Sequence, residues 1–455
     1  ISKQYDDWKK KNDDYYSGLK TLVASFIPSG KKVLEIGCGT GEILNSVKPE
    51  KGLGIDISSE MIRIAQSKYP HLSFEVKDAE HFESKERYEY IIMSDILEHL
   101  VDVWEAFSKL RQIVLPSSQV IISFINPLWE PLLILGEKLG MKMPEEPHNR
   151  LYSDDIINLL ELNYFEVKEK GYKLFIPKKV PFFSDFLNKH IPMIPWLKNF
   201  CFVQYIVAMP KKKEDIKRKS LSCSVVIPCH NEEENIEECI RRVPQIGNPT
   251  EIIVVDDGST DGTVSVVENL IPQYENLRLI SYKTNKGKGF AVKRGFDEAR
   301  GDVLIILDAD MSVLPEELSR FFAVMEEGKA DFVNGTRMVY PMEQQAMRQL
   351  NLLGNKIFSI IFTWLLGRRI TDTLCGTKVI LRKDYKRIQM GKCPWGDFDI
   401  LIGVAKLNLR MKEIPVHYKQ RKLGTSKMKI FKHGFLLLRM CLYAFKELKL
   451  NFKKG

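Results

Sequence analysis

Residues 303–307 are five consecutive apolar side chains, VLIIL, that run directly into Asp308 and Asp310. Such a run without polar alternation reads as a strand covered on both faces, and strands of that kind belong in parallel sheets with helices packed on each side. Ligands of these sheets bind at the carboxyl ends of the strands. Two aspartates one residue apart at that point can set carboxylate oxygens around a hard divalent ion, leaving positions open for water and phosphate oxygens. That is chemistry suited to a nucleoside diphosphate. A strand followed by an ordinary acidic turn has the same local pattern, so the rest of the chain must separate the two.

With 455 residues the chain exceeds what one hydrophobic core usually serves, which predicts two or three domains. The formal charge of +9 favours an anionic partner such as phosphate or a membrane surface, and it does not demand nucleic acid. Eight cysteines occur without a C-x-x-C pair or a ligand-like spacing to histidine, which argues against a zinc site and a disulfide framework and for reduced thiols. The chain opens on Ile1 with no secretory signal expected in Ile1–Gly30, and the missing initial methionine is consistent with a fragment. No run reaches the roughly 18 apolar residues that a spanning helix needs; Ile357–Leu366 is an example that falls short.

In the first two hundred residues, short strands end in polar residues. Lys32–Ile36 reads as a strand running into Gly37, Cys38, Gly39, Thr40 and Gly41, with a helix from about Glu42. Glycines at a strand-to-helix turn let the backbone approach a ligand and leave the helix amino terminus open to it. The spacing is G-x-G-x-G, not the G-x-G-x-x-G of dinucleotide sites. Asp56 closes the next strand, Asp78 and Ala79 follow Ser73–Val76, and Tyr90–Met93 ends in Ser94 and Asp95, with a helix expected to begin at Leu97–Leu100.

Taken in order, EIGCGTG, GIDIS, VKDAE and IIMSDILEHL resemble the class I methyltransferases that use S-adenosylmethionine, over about residues 15 to 210. The resemblance implies that Glu35, Gly37, Gly39 and Gly41 lie along the methionine part, that Asp56 takes the ribose, that Asp78 and Ala79 flank the adenine, and that Asp95 stands at the cofactor site. Methyl transfer needs alignment and, for a hydroxyl acceptor, removal of a proton; His99 is the base candidate, with a packed helix histidine as the alternative. Asn126–Arg150, rich in proline, leucine and methionine, reads as an acceptor lid carrying His148 or as a surface helix for domain contact. Asp154–Leu160 and Phe202–Ala208 complete the domain as a helix and a strand.

The basic run KKKEDIKRK, Lys211–Lys219, is expected to be a solvated linker, and the strand pattern restarts after it. PCHNE, VVDDGSTDGT, NKGKGFA and LDAD, in that order, resemble glycosyltransferase family 2. GTR at Gly335–Arg337, TDTLCGTK at Thr371–Lys378 and YKQRKLGTSK at Tyr418–Lys427 narrow the likeness to polyprenyl-phosphate sugar transferases of the dolichyl-phosphate mannose synthase type. That resemblance places the nucleotide on Pro228, Glu232, Asp257 and the turn Gly287, Lys288, Gly289, and a Mg²⁺ or Mn²⁺ ion on Asp308 and Asp310. Arg337, Arg348, Arg421 and Lys427 are the candidates for holding the acceptor phosphate, and Asp372 for orienting an arginine or the sugar. Arg348 is followed by Gln349 and then Asn351 or Leu352 where relatives carry a basic pair and then a serine.

The expected architecture is α/β, with two Rossmann-like domains. A class I methyltransferase fold at 1–210 and a basic linker at 211–220 precede a GT-A fold at 221–455 with amphipathic carboxyl-terminal helices. The expected activity is a bifunctional transferase that uses S-adenosylmethionine, a nucleotide sugar and a polyprenyl or dolichyl phosphate, without nucleic acid. The expected location is cytoplasmic, peripheral to a membrane. Leu350–Leu366 and Ile430–Leu448, apolar with interspersed lysines, read as interfacial helices or as core helices. Two alternatives differ in class: a first domain that only binds a ligand, and a second that extends a polysaccharide.

Overall fold

The computed structural model describes residues 12–140, 149, 151–178, 183–212, 220–340, 349–393, 396–418 and 430–450. The chain divides into two compact units, Ile1–Glu214 and Asp215–Gly455.

The first unit opens with α1 (Asp13–Phe26), β1 (Lys32–Ile36), α2 (Glu42–Ser46), β2 (Lys51–Asp56), α3 (Ser59–Lys68) and β3 (Ser73–Val76). It continues with β4 (Tyr88–Ser94), α4 (Val103–Ile113), β5 (Val114–Ile125), α5 (Glu130–Lys138), α6 (Ser153–Leu162), β6 (Phe165–Lys173), α7 (Phe183–His190) and β7 (Val203–Pro210). The sheet order is β3-β2-β1-β4-β5-β7-β6. β1 to β5 are parallel, and β7 is inserted antiparallel between β5 and β6. The order reverses between β1 and β4, so the loops after these two strands diverge and leave a crevice at their carboxyl ends. Val33, Leu34, Ile91, Ile92, Ile121 and Ile122 are fully buried, as expected for strands covered on both faces.

The helix expected from Leu97 is a single 3₁₀ turn, Leu97–His99, and the true helix α4 starts at Val103. Side chains stop the turn. Asn149 Nδ2 donates to the carbonyls of Leu97 and Leu100, and Glu80 Oε1 accepts the amides of Val101 and Asp102. Asp102 then caps α4 by accepting from the Glu105 amide. The helix buries Val103, Ala106, Phe107, Leu110 and Ile113, a stripe at helical spacing.

The second unit runs β8 (Cys223–Cys229), α8 (Glu233–Arg241), β9 (Thr250–Asp256), α9 (Thr263–Leu270), β10 (Leu277–Ser281), α10 (Lys288–Glu298) and β11 (Val303–Ile306). After these come α11 (Leu318–Glu326), β12 (Phe332–Thr336), α12 (Gln349–Leu366), β13 (Lys378–Leu381), α13 (Arg382–Tyr385), α14 (Asp397–Lys406), β14 (Met411–Pro415) and α15 (Ile430–Phe445). The order is β10-β9-β8-β11-β13-β12-β14. The strand that carries the two aspartates is parallel to β8 on one side and antiparallel to β13 on the other, so it forms the seam between two halves of a mixed sheet. All four of its residues are buried, and so is Leu307 beyond it. α10 lies hard against this sheet: a Cβ on Gly295 would stand 2.3 Å from Val226 Cγ1. α12 packs on α15, with Phe362 and Leu365 inward and Ile357, Ile360 and Trp364 outward. No helix of the described residues is long and apolar enough to cross a membrane.

Candidate active sites

In the first unit, Gly37, Gly39 and Gly41 all adopt positive φ, at 71°, 50° and 79°. A side chain on Gly37 would also collide with Ile96, at 2.7 Å. The turn is tied to β2: Asp56 Oδ2 accepts the Gly39 amide at 2.9 Å, and Asp56 Oδ1 accepts the Ser58 amide at 2.9 Å. Each carboxylate oxygen has a second lone pair available for a hydroxyl. Glu35 is buried and accepts the Leu44 amide, satisfying an amino-terminal N–H of α2.

Asp78 and Ala79 follow β3 half-buried. Burial works to raise the Asp78 carboxyl, but the Glu80 amide and His81 outweigh it and hold the group below its ordinary range. Asp95 follows β4 at φ 53° and accepts the hydroxyl of Tyr15 from α1. Burial, and then the charge of Asp95, push the Tyr15 phenol well above its usual range. His99 is exposed on the 3₁₀ turn. Gly37, Asp56 and Asp95 thus occupy the carboxyl ends of three adjacent strands, β1, β2 and β4.

In the second unit the carboxyl ends of β8, β9 and β11 converge. Pro228 lies near the end of β8, and Glu232 precedes α8 with its Oε2 accepting from Asn235. Asp257 is buried, and its two oxygens accept the amides of Lys286 and Gly287 at 2.8 and 2.7 Å, clamping the basic turn beside the strand end. Gly287, at φ 94°, precedes α10, and Gly289 lies buried in its first turn. Gly258 lets the turn come close: a Cβ there would stand 2.8 Å from the Asn285 amide nitrogen. Lys288 Nζ sits 2.6 Å from Asp308 Oδ1, and Asp310 Oδ1 accepts the Ser312 amide at 3.0 Å. The Lys288 ammonium, on a side chain about one-third exposed, therefore shows that a cation fits against the Asp308 carboxylate.

The segment Thr371–Lys378 joins this edge to a buried ion pair. A Cβ on Gly376 would meet Asp308 Oδ2 at 2.0 Å, so the loop backbone lies directly on that carboxylate. Four residues earlier, Asp372 is fully buried and receives Arg337 through a fork, Nε to Oδ2 at 2.6 Å and one terminal nitrogen to Oδ1 at 2.9 Å. The Arg337 amide, the Leu374 amide and Asn355 Nδ2 complete its shell. Burial raises the Asp372 carboxyl, but Arg337 prevails and brings it to about 2. Arg337 also lies over the Tyr418 ring, 4.9 Å from its centroid. Glu413 supports the arrangement by accepting from Asn334 and from Thr371.

Arg348, Arg421 and Lys427 lie outside the described residues, as do His148 and most of residues 141–150. Tyr15, Asn355 and Glu413 were missed in the sequence. Asn355 was detectable as a polar residue inside an apolar helix, and Glu413 and Tyr15 have no local signal because their partners are 42 and 80 residues away.

The family model for "Methyltransferase domain" matches residues 8–170, and that for "Glycosyl transferase family 2" matches residues 224–388. Over 214 residues the chain is 32% identical to polyprenol monophosphomannose synthase of Mycolicibacterium smegmatis, a match covering 45% of this chain and 80% of that one. It is 33% identical over 213 residues to undecaprenyl-phosphate 4-deoxy-4-formamido-L-arabinose transferase of Salmonella paratyphi B, covering 45% of this chain and 62% of that one. Among solved structures, an S-adenosylmethionine dependent methyltransferase from Mesorhizobium loti aligns at 16% identity and a TM-score of 0.33, covering 42% of this chain and 96% of that one. Through its second half the chain belongs to glycosyltransferase family 2, and ahead of that half it carries a methyltransferase domain.

Proposed function

We propose that the second half transfers a hexosyl group, mannose or glucose, from a nucleotide sugar to a polyprenyl or dolichyl phosphate, with inversion. The first half, on the same reading, transfers a methyl group from S-adenosylmethionine to an acceptor in the same glycoconjugate pathway. The observation that carries the first reading is the Thr371–Lys378 segment, which touches Asp308 at one point and encloses the Arg337–Asp372 pair at another. One short loop thus joins the acidic end of β11, where a donor diphosphate would lie, to the Arg337–Asp372 pair. The motif order and the two transferase relatives support the choice of substrates.

Asp257 would hold the basic turn so that its amides and Lys288 face the donor diphosphate, and Asp308 and Asp310 would hold Mg²⁺ or Mn²⁺. Their oxygen donors suit a hard ion. Among the described residues no third His, Cys, Asp or Glu joins them, so donor phosphate oxygens and water would complete the shell. The bound ion would neutralise the departing diphosphate. The lipid phosphate, with a second ionisation near pH 6, is mostly dianionic at neutral pH and needs no general base. Its oxygen bonds to the anomeric carbon as the bond from that carbon to the diphosphate oxygen breaks. Asp372, held ionised by Arg337, is a poor proton acceptor, which favours a positioning role for it.

Ile357, Ile360, Trp364, Leu438 and Leu442 are exposed on α12 and α15, and Trp364 stacks on Phe445 with Lys449 above it. Apolar residues edged by lysine suit a helix pair lying in the lipid interface, where a polyprenyl tail would be anchored. On this reading the chain sits peripherally on a membrane, and its cytoplasmic face is the proposed location. The test is incubation with membranes, Mg²⁺ or Mn²⁺ and a panel of labelled nucleotide sugars, followed by organic extraction. An extractable labelled product, lost in Asp310→Ala, is expected. Failure with every common donor, or activity indifferent to Asp310→Ala, would overturn the reading.

A further inference from the structure

β13 opens with Lys378 and continues through Val379, Ile380 and Leu381, all of them buried. The lysine is 1% exposed. An ammonium is almost never taken fully out of water unless polar partners receive it, and an apolar residue would fill the same place at less cost. Lys378 therefore holds something that an apolar side chain could not. Its Nζ donates to the carbonyl of Cys375, three residues back in the Thr371–Lys378 segment.

The neighbouring strand does the same. Asn334 stands directly opposite Lys378 in the pairing of β12 with β13 and is fully buried. Its Nδ2 donates to the Asp372 carbonyl at 2.8 Å, and the Gly335 amide donates to the Thr377 carbonyl at 3.0 Å. Three carbonyls of one segment, those of Asp372, Cys375 and Thr377, are thus drawn against the sheet.

In a trans peptide the carbonyl and the N–H that follows it lie in one plane and point in opposite directions. The Cys375–Gly376 peptide is trans, so drawing the Cys375 carbonyl to Lys378 turns the Gly376 N–H away from the core. Gly376 is partly exposed there, between the buried Cys375 and Thr377. Among the described residues its amide meets no hydrogen-bond acceptor. The amide opens beside the donor edge, because a Cβ on Gly376 would stand 2.0 Å from Asp308 Oδ2 and 3.0 Å from Lys288 Nζ.

We propose that the Gly376 amide donates a hydrogen bond to a diphosphate oxygen of the nucleotide sugar, and that Lys378 is the positioning residue that aims it. The inference rests on the donor reading given above. As the bond from the anomeric carbon to the diphosphate breaks, negative charge grows on the leaving diphosphate, and a donor fixed in advance stabilises it without reorganising. Lys378 itself touches no substrate. It acts through the orientation of one peptide plane.

The sequence supplies its own probe. It contains two Cys–Gly bonds, Cys38–Gly39 and Cys375–Gly376. The full chain labelled with carbonyl-labelled cysteine and nitrogen-labelled glycine therefore gives two peaks in carbonyl-to-amide NMR, and Gly39, in the first unit, is the internal control. Adding GDP or UDP with Mg²⁺ should move the Gly376 proton downfield and leave Gly39 in place. Lys378→Met keeps the buried stem and removes the ammonium. It should weaken binding of the same diphosphate about tenfold in calorimetry and abolish most of the downfield shift. Heat of binding with the Gly376 proton unmoved, or moved upfield, overturns the inference and leaves the donor reading standing. A variant with a lower melting temperature but unchanged affinity and an unchanged shift overturns the role of Lys378, which is then structural alone. If the variant does not fold, the peak of the unsubstituted chain still decides. If neither diphosphate gives heat, the donor reading has failed and the inference falls with it.

Discussion

Lys288 holds its ammonium 2.6 Å from Asp308 Oδ1, so the basic turn at the head of α10 and the acidic end of β11 form an ion pair. Both side chains are about one-third exposed, and a pair of that kind contributes about 1 kcal/mol or less to stability. On the proposed function, Lys288 moves to the donor phosphates when they arrive. Lys288→Ala should therefore leave the melting temperature nearly unchanged and weaken nucleoside diphosphate binding about tenfold, measured by calorimetry with Mn²⁺ present. A large loss of stability with unchanged affinity would contradict this.

Gly376 provides a sharper test of the same carboxylate. A Cβ there would stand 2.0 Å from Asp308 Oδ2 and 3.0 Å from Lys288 Nζ. Both atoms end flexible side chains, so they can move away without unfolding the sheet. Gly376→Ala should cost little stability but displace Asp308 by about 1 Å, which is enough to lower turnover about a hundredfold. Sugar transfer and thermal melting, measured side by side, check this.

The buried Arg337–Asp372 pair should behave in the opposite way. Asp372→Asn leaves a buried guanidinium without its counter-charge, at a cost of about 3 to 5 kcal/mol. Asp372→Asn combined with Arg337→Met should recover part of that loss. The carboxyl lies at about 2 in the folded chain against an ordinary 3.8, so the unfolded chain binds the proton more readily. Its contribution is present above about pH 4 and is lost as the pH falls toward about 2, on the order of 2 kcal/mol. Denaturant titrations across that window should show a shallower acid slope in the double variant.

In the first unit, Asp56 holds the Gly39 amide and stands at the end of β2. Asp56→Ala should release the glycine turn and weaken S-adenosylmethionine binding by about a hundredfold or more, read by calorimetry. Tyr15→Phe removes the hydroxyl donated to Asp95 and should cost about 1 to 3 kcal/mol in denaturant unfolding. The Tyr15 phenol is raised well above its normal range, so it should contribute no titration to methyl transfer at neutral pH.

Local chemistry carried much of the reading. The strand ending at Ile36, the turn through Gly41, and the aspartates at 56, 78, 257, 308 and 310 were legible because each motif is contiguous and its spacing fixes the backbone geometry. The turn at Leu97 was misread as a helix because the groups that end it, Glu80 and Asn149, come from 21 and 49 residues away.

By itself, then, the sequence determined two α/β halves, the order of their motifs, and which strand ends carry carboxylates and glycines. Pairing was decided only by the tertiary structure. The two sheet orders brought Tyr15 to Asp95, laid Gly376 on Asp308, and enclosed Asp372 between Arg337 and Asn355. They also put β11 at a parallel–antiparallel seam. A run of apolar residues specifies that a strand is covered, whereas its neighbours depend on how all seven strands of the sheet are ordered.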